Sequence, residues 1–336
     1  MVSGRDLPAA GGAMAGHDPA VSTAANYRRF AGRETVGRAP AYGVLAAAVA
    51  ADEQILTFLS ALPVAKRQPN LLFAAARHLL GTPTDIHALR DLVRDRADEL
   101  AAVMRARRTQ TNEAARCATL LPALVGLPEP LALLEVGAAA GLTLLVDRYS
   151  YDYAGHYLPG ADPQAPTLTC QPQGPVPLPE RLPTVSWRAG IDLNPLDAAD
   201  PDDARWLECL LWPGEGDREA RLQGALEAAR RHPPPVHRGD LVDDLVRVAA
   251  SAPPDTTLVV YHSAVLAYFD TDKRRAFAAA VGDLDAVWLS NEAPGVVPLS
   301  TATATYPHAD SFNLIRNGCD LLAFTDPHGT WIDWVS

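Results

Sequence analysis

The sequence predicts an α/β protein in which an all-helical N-terminal segment precedes a doubly wound, mostly parallel β-sheet. Between residues 26 and 126, apolar residues recur at helical spacing, and no run alternates with a period of two. From Leu131 onward, short apolar runs alternate with helical patterns, as they do where helices connect parallel strands. Residues 312–315 and 321–324 are apolar runs separated by Asn317-Gly318, which predicts a closing antiparallel strand pair.

The N-terminal part is predicted to contain a tail and a helical domain. Residues 1–25 hold Gly, Ala, Pro and Ser without an apolar core, so we expect a disordered tail and neither a signal peptide nor a membrane anchor. Helices are predicted over residues 42–59, in a run that begins just after Pro69, over residues 89–103 and over residues 111–124. We interpret residues 26–126 as a helical domain that acts as a lid.

The remaining chain, residues 127–336, is predicted to form the domain that contains the sheet. Strands are predicted at residues 131–136, 185–190, 236–238, 257–261 and 286–290, with helices at 142–149, 204–211, 218–231, 243–250 and 273–281. Residues 151–184 are rich in Pro, Gly and Gln, so we interpret them as an irregular insertion.

The composition narrows the classes of function. The formal net charge of −11 argues against a nucleic-acid partner, because a phosphate backbone requires a basic surface. The cysteines have no metal-ligand spacing, so we expect reduced thiols and no bound metal. The most apolar stretch, residues 131–146, is too short to span a membrane and contains an acid. We therefore expect a cytoplasmic protein with a small-molecule substrate, and the oligomeric state stays open.

A glycine turn follows the first predicted strand, in Glu135-Val-Gly-Ala-Ala-Ala-Gly141. Gly137 and Gly141 permit a tight turn at the carboxyl edge of a parallel sheet, where ligands bind. The spacing Glu-x-Gly-x-x-x-Gly lacks the third glycine of the dinucleotide fingerprint, so a nicotinamide cofactor fits less well. The alternative is a turn that binds nothing.

This turn resembles motif I of class I S-adenosylmethionine-dependent methyltransferases, whose sheet is Rossmann-like and also ends on antiparallel strands. The resemblance implies that Glu135, Gly137, Ala139 and Gly141 lie near the methionine end of the cofactor. Ala139 stands where that motif usually has its middle glycine, so an alanine side chain there would crowd the cofactor.

Two later acids fit the same cofactor. Asp192 follows the second strand of the sheet, where a carboxylate can accept hydrogen bonds from two ribose hydroxyls. Asp240 follows the third strand, where an adenine amino group is commonly bound. The alternatives are a solvated acid that caps the Pro195 turn and an N-cap for the helix that follows Asp240.

Candidates for chemistry follow the fourth and fifth strands. His262 lies at the end of the fourth strand, and an imidazole with an ordinary pKa of about 6.5 suits a general base. Glu292 follows the fifth strand as a second candidate base, beside Asn291 as a substrate-binding residue. The alternative for His262 is a histidine that is merely hydrogen-bonded in the core or at the start of a helix. The alternative for Asn291 and Glu292 is a polar loop ahead of Pro294.

A polar run and a turn give further candidates for substrate binding. Residues 107–113 read Arg-Arg-Thr-Gln-Thr-Asn-Glu, in which Arg107, Gln110 and Asn112 could hold a carboxylate or phosphate. A solvated helix start is the alternative. His328, in the turn Asp-Pro-His-Gly at 326–329, is a further candidate.

Several segments together are similar to a bacterial family known as domain of unknown function 2332. They are residues 66–70, 107–113, 135–142, 192–195, 290–292 and 325–329. The similarity spans residue 26 to the C-terminus and implies no particular reaction.

The glycine turn and the acids lead to one preferred function and two alternatives. We expect an enzyme that uses S-adenosylmethionine as its cofactor, a methyltransferase acting on a small molecule. An enzyme that uses this cofactor without transferring methyl would have the same sequence features. A non-catalytic Rossmann-like protein that binds a nucleotide or metabolite is the alternative from another class.

Overall fold

The computed structural model describes residues 22–297 and 310–336, and its N-terminal part is helical. Most of the expected tail, residues 1–21, lies outside the described residues. The helices are α1 (Thr23–Arg29), α2 (Pro40–Val49), α3 (Glu53–Ser60), α4 (Pro69–Leu80), α5 (Ile86–Ala106) and α6 (Arg116–Leu124), and a π-helical turn (Phe30–Glu34) follows α1. Asp52 caps α3 by accepting a hydrogen bond from the Ile55 amide over 2.9 Å. Pro40 and Pro69 begin their helices, where a missing amide hydrogen costs nothing.

The rest of the described chain contains twelve strands and four helices. The strands are β1 (Leu131–Val136), β2 (Ser150–Tyr153), β3 (His156–Leu158), β4 (Thr167–Thr169), β5 (Gln171–Gln173), β6 (Val185–Asp192), β7 (Val236–Arg238), β8 (Thr257–Ser263), β9 (Val287–Glu292), β10 (Phe312–Arg316), β11 (Asp320–Thr325) and β12 (Trp331–Trp334). The helices are α7 (Pro201–Leu210), α8 (Gly216–Arg231), α9 (Leu245–Ala249) and α10 (Thr271–Gly282).

One large sheet has the strand order β5-β12-β11-β10-β9-β8-β1-β6-β7. Strands β7, β6, β1, β8 and β9 are mutually parallel, and β10, β11 and β12 continue antiparallel. The predicted strands and the C-terminal hairpin are confirmed, with Asn317 and Gly318 in left-handed backbone at φ 51° and 72°. The protein is therefore a mixed α/β fold with a helical N-terminal part and a large, mostly parallel sheet.

The central strand β1 is buried on both faces and separates two cores. Leu131 and Leu133 belong to one core, which includes buried side chains of α1 to α8. Leu134 and Val136 belong to the other, with side chains of α9 and α10. The period of two in β1 explains this partition. The helical N-terminal part therefore shares a continuous core with the sheet.

The segment after the glycine turn differs from the expectation. A 3-10 turn (Leu142–Leu145) replaces the helix predicted at 142–149, and residues 151–184 include β3, β4 and β5 instead of being irregular. β3, β2 and β4 form a separate small sheet, and β5 joins the edge of the large one. These strands are three or four residues long and lie in a segment rich in Pro, Gly and Gln, which is why the sequence did not predict them.

Three buried tyrosines anchor this segment. The hydroxyls of Tyr149, Tyr151 and Tyr153 donate hydrogen bonds to the carbonyls of Leu142, Val146 and Ala118, at 2.8, 2.5 and 2.7 Å. Each aromatic ring is thus buried with its polar end satisfied. The connection from β1 to β6 consequently runs through a small sheet instead of an α-helix.

Candidate functional site

A cavity of about 590 Å³ lies between the helical part and the carboxyl ends of β1, β6 and β8. Its lining includes Lys66, Arg108, Gln110, Gly137, Ala139 and Asp192, together with Tyr268 from the loop after β8. This is the edge of the sheet at which the sequence predicts a ligand. Ala139 and Ala264 both line it with left-handed backbone, at φ 50° and 57°. Such conformations are uncommon for alanine and are concentrated at functional sites.

The amide groups of the glycine turn are all hydrogen-bonded within the protein. Backbone carbonyls accept from three of them: the amides of Gly137 and Ala138 donate to the Ile191 carbonyl, and the Gly141 amide donates to the Ala138 carbonyl. Side chains accept from the others: the Ala139 amide donates to Asp192, and the amides of Ala140 and Leu142 donate to Asn112. A phosphate bound at such a turn needs free amides. The turn of this protein therefore leaves no amide between residues 137 and 142 for a phosphate group.

Asp192 joins the turn to the polar run of the helical part. Its Oδ2 accepts from the Ala139 amide at 2.8 Å, and its Oδ1 accepts from the Asn194 amide at 2.7 Å and from Gln110 Nε2 at 3.2 Å. Gln110 Nε2 also donates to the Asn194 carbonyl at 2.9 Å. Asp192 and Gln110 both line the cavity. Oδ2 has an acceptor position left for a ligand hydroxyl.

Glu135 and Gly141, the first and last residues of the motif, do not line the cavity. Glu135 is buried, its Oε1 accepts from the Thr143 hydroxyl, and its Oε2 has no partner among the described residues. Burial raises the pKa of Glu135 to about 8. A Cβ at Gly141 would meet Pro234 at 2.7 Å, so close packing explains that glycine.

Asp240 does not line the cavity, although its neighbours Gly239 and Leu241 do. Its carboxylate pairs with Lys273 of α10 and accepts from the Val242 amide at 2.9 Å. These contacts lower the pKa of Asp240 against the opposing effect of burial. Asp240 therefore anchors the loop after β7 to α10.

His262 and Glu292 form a buried pair beneath the cavity, and neither residue lines it. Trp288 Nε1 donates to His262 Nε2 at 3.1 Å, so the ring proton lies on Nδ1, which donates to Glu292 Oε1 at 2.8 Å. Glu292 Oε1 also accepts from the amides of Val265 and Leu266, at 2.7 and 2.9 Å. The pair thus holds the loop that lines the cavity, and both imidazole nitrogens are already occupied.

The predicted substrate-binding residues also have partners within the protein. Arg107 lines the cavity, but its guanidinium pairs with Asp202 and Asp203 of α7. Asn291 is buried, and its Oδ1 accepts from the Thr325 hydroxyl at 2.7 Å. Asn112, as described above, caps the turn. Of the predicted set, Gln110 and Arg107 therefore reach the cavity, while Asn112 and Asn291 support its wall.

Two cations at the cavity were not predicted. Lys66 donates from Nζ to the Arg107 carbonyl at 2.6 Å, and burial followed by the charge of Arg108 lowers the pKa of Lys66. Arg108 lies beside it on the same lining. Both belong to polar segments that the sequence singled out, but no spacing links residue 66 to residue 108.

A smaller pocket of about 60 Å³ adjoins the main cavity. It is lined by Glu34, Arg38, Trp212, Arg218 and His328, among others, while Gln68, Thr109, Thr111 and Tyr268 line both spaces. The sequence singled out His328 and the segments that contain Gln68, Thr109 and Thr111. It did not indicate Glu34, Arg38, Trp212 or Arg218, because these residues lie far apart along the chain.

The described residues contain no group of three or more His, Cys, Asp or Glu side chains placed to hold a metal ion. Across the same residues, no single helix has the length and apolarity to cross a membrane, although α2 and α3, bent by 82°, pass that test as a pair.

Comparison with known proteins gives one match. No curated protein and no solved structure is significantly similar to the chain. The family described as "Uncharacterized protein conserved in bacteria (DUF2332)" matches residues 24–334, nearly the whole length. The chain therefore belongs to the DUF2332 family, as the motifs between residue 66 and residue 329 indicated.

Proposed function

We propose that the protein is an S-adenosylmethionine-dependent enzyme that acts on a small molecule, as a methyltransferase. The observation that carries this proposal is the cavity at the carboxyl ends of β1, β6 and β8, with Asp192 after β6. Its volume of about 590 Å³ lies within the range of roughly 300–1,000 Å³ of small-molecule sites. The proposal interprets the parallel strands as a Rossmann-like, doubly wound sheet. The β1–β6 connection departs from that arrangement, because it runs through a small sheet instead of an α-helix.

The residues present fit a nucleoside that carries no phosphate. Asp192 Oδ2 accepts one internal hydrogen bond and can accept another from a ribose hydroxyl. Lys66 and Arg108 suit the carboxylate of the methionine part. The occupied amides of the turn disfavour a pyrophosphate, and with it a nicotinamide dinucleotide.

Within this proposal, the protein contributes position and exclusion of water. Bound S-adenosylmethionine supplies an electrophilic methyl group on its sulfonium sulfur. Asp192 and Gln110 hold the nucleoside end, and the residues of the helical part cover the cavity as a lid. His262 and Glu292 act as positioning residues, because they hold the loop that carries Ala264 and Tyr268.

A non-catalytic binding protein is the second candidate. The placement of His262 and Glu292 favours it, since neither predicted base lines the cavity. An enzyme that uses the cofactor without methyl transfer remains a variant of the first proposal. Turnover, measured after binding, separates these functions.

Calorimetric titration with S-adenosylmethionine, S-adenosylhomocysteine and NAD tests the proposal. We expect micromolar binding of the first two and no binding of NAD. Ala139→Leu places a larger side chain in the cavity and should abolish binding, whereas Ala139→Gly should strengthen it.

Ala154 gives a matched control, because it has the same left-handed backbone, at φ 53°, in an exposed turn away from the cavity. Ala154→Leu should lower stability as Ala139→Leu does, but leave affinity unchanged. If neither S-adenosyl compound produces heat or thermal stabilisation, the proposal is wrong.

A further inference from the structure

The small pocket beside the main cavity has the position of a second binding site. It lies between the π-helical turn, the loop around Trp212 and the C-terminal turn at His328. Tyr268 lines both spaces and is 43% exposed. The two spaces therefore adjoin at Tyr268.

The pocket has room for a small polar group. Its volume of about 60 Å³ accommodates roughly four water-sized groups, at ~15 Å³ each. A carboxylate, with one carbon and two oxygens, fits that space. The larger remainder of a ligand would have to extend past Tyr268 into the main cavity.

The charges around the pocket favour an anion. Arg38 forms an ion pair with Glu215 at 3.7 Å, a distance too long for a hydrogen bond, and stacks over Trp212 at 5.2 Å. Arg116 is buried, and its guanidinium donates to the backbone carbonyls of Ser263 and Pro327. These two cations thus have no hydrogen-bonded carboxylate partner among the described residues.

The other charges near the pocket largely compensate one another. Arg218 pairs with Glu113 and Glu215, at 2.8 and 2.6 Å, and Arg221 pairs with Glu113 at 2.7 Å. Glu34 lines the pocket as well, and burial raises its pKa to about 7, against the effects of Arg29 and Arg38. Near neutral pH, Glu34 is thus protonated in part of the molecules and can donate a hydrogen bond.

His328 forms a hydrogen bond with Arg38 at the pocket. Arg38 Nη2 lies 2.6 Å from His328 Nε2, and a guanidinium can only donate, so Nε2 accepts and the ring proton lies on Nδ1. Burial, then the charges of Arg218, Arg116, Arg38 and Arg221, holds the pKa of His328 well below its usual range. Nδ1 is buried and has no acceptor among the described residues. Nδ1 is closed off from the pocket, so the contribution of His328 to this site is the hydrogen bond through Nε2 that positions the Arg38 guanidinium.

We propose that this pocket binds the carboxylate of a small-molecule substrate, with Arg38 as its charged partner, and that the rest of the substrate extends past Tyr268 into the main cavity. The inference rests on the proposed function in one respect only, namely that the substrate meets the cofactor in the main cavity. Carboxylate binding itself requires no cofactor. The lid formed by the helical part would then contribute substrate recognition through α1 and the π-helical turn.

The experiment uses the full chain without cofactor and a probe set of small acids with their primary amides: acetate and acetamide, benzoate and benzamide. Binding at millimolar concentration is measured by calorimetry and by the rise in melting temperature. We expect the acids to bind and the amides not to. Arg38→Gln should weaken acid binding at least tenfold, which is about 1.4 kcal/mol, and Arg38→Lys should restore part of it.

Arg33→Gln is the matched control, because Arg33 is an exposed arginine of the same π-helical turn and does not line the pocket. His328→Asn provides a second variant, should Arg38→Gln fail to fold. Equal binding of acids and amides, equal effects of Arg38→Gln and Arg33→Gln, or no binding of any acid would overturn the proposal. Acid binding without binding of S-adenosylmethionine would refute the proposed function and leave the carboxylate site standing.

Discussion

His262 donates a hydrogen bond of 2.8 Å from Nδ1 to Glu292 Oε1, and both side chains are buried under the loop that lines the cavity. The same carboxylate oxygen accepts from the amides of Val265 and Leu266. One glutamate therefore satisfies three donors at once. This contact links β8 and β9 to the position of the loop after β8.

The first prediction concerns Glu292. Glu292→Ala should lower the free energy of unfolding in urea by about 3–5 kcal/mol, because it leaves two buried donors and one partly buried donor without an acceptor. Glu292→Gln should cost less, since its carbonyl oxygen still accepts. Glu227→Ala, an exposed site on α8, should change stability by less than about 0.5 kcal/mol.

Ligand affinity distinguishes this positioning role from that of a residue that contacts the ligand. Because Glu292 does not line the cavity, Glu292→Gln should retain the affinity for S-adenosylhomocysteine. A small effect of Glu292→Ala on stability, together with a large loss of affinity in the Gln variant, would contradict the interpretation.

A second prediction concerns Asn112, whose Oδ1 accepts from the amides of Ala140 and Leu142 at 3.1 and 3.2 Å. Asn112→Ala should destabilise the protein by about 2–4 kcal/mol, since both buried amides lose their acceptor. Hydrogen exchange of these two amides should accelerate in the Ala variant. Asn112→Asp retains an acceptor and should preserve their protection; equal protection in the Ala variant would rule out this cap.

A third prediction concerns the pH dependence of stability at Glu135. Its pKa of about 8 in the folded state exceeds the ordinary value of 4.5, so the folded state binds more protons between these values. The stability due to Glu135 is therefore largest below pH 4.5 and falls as the pH rises toward 8, by about 1.4 kcal/mol per pH unit at most.

Glu135→Gln, which cannot ionise, isolates this effect. The free energy of unfolding should be measured for both proteins between pH 5 and pH 8, in steps of about one unit. We expect the wild-type value minus the variant value to decrease steadily over that range. A difference that stays constant would mean that Glu135 ionises normally in the folded protein.

Local patterns in the sequence predicted much of the fold. The short apolar run of β1, the helical stripes of α2 to α6 and the Asn317-Gly318 turn each depend on residues that are close in the chain. The glycine turn and Asp192 were placed at one sheet edge by the same reasoning, because parallel strands end together. The small sheet of β2 to β4 was missed, since its short strands lie in a segment whose Pro, Gly and Gln content indicated irregular structure.

Sequence by itself thus determined the family, the order of the main elements and the edge of the sheet at which the cavity lies. Only the tertiary structure decided which polar groups remain available there. Asn112 accepts a hydrogen bond from the Ala140 amide, 28 residues away, and Asp192 accepts one from the Ala139 amide, 53 residues away, so the amides of the turn are already bonded. His262 is buried. Arg38 and His328, separated by 290 residues, meet at the small pocket. Such contacts depend on how packed elements are positioned relative to one another, and no local period encodes that position.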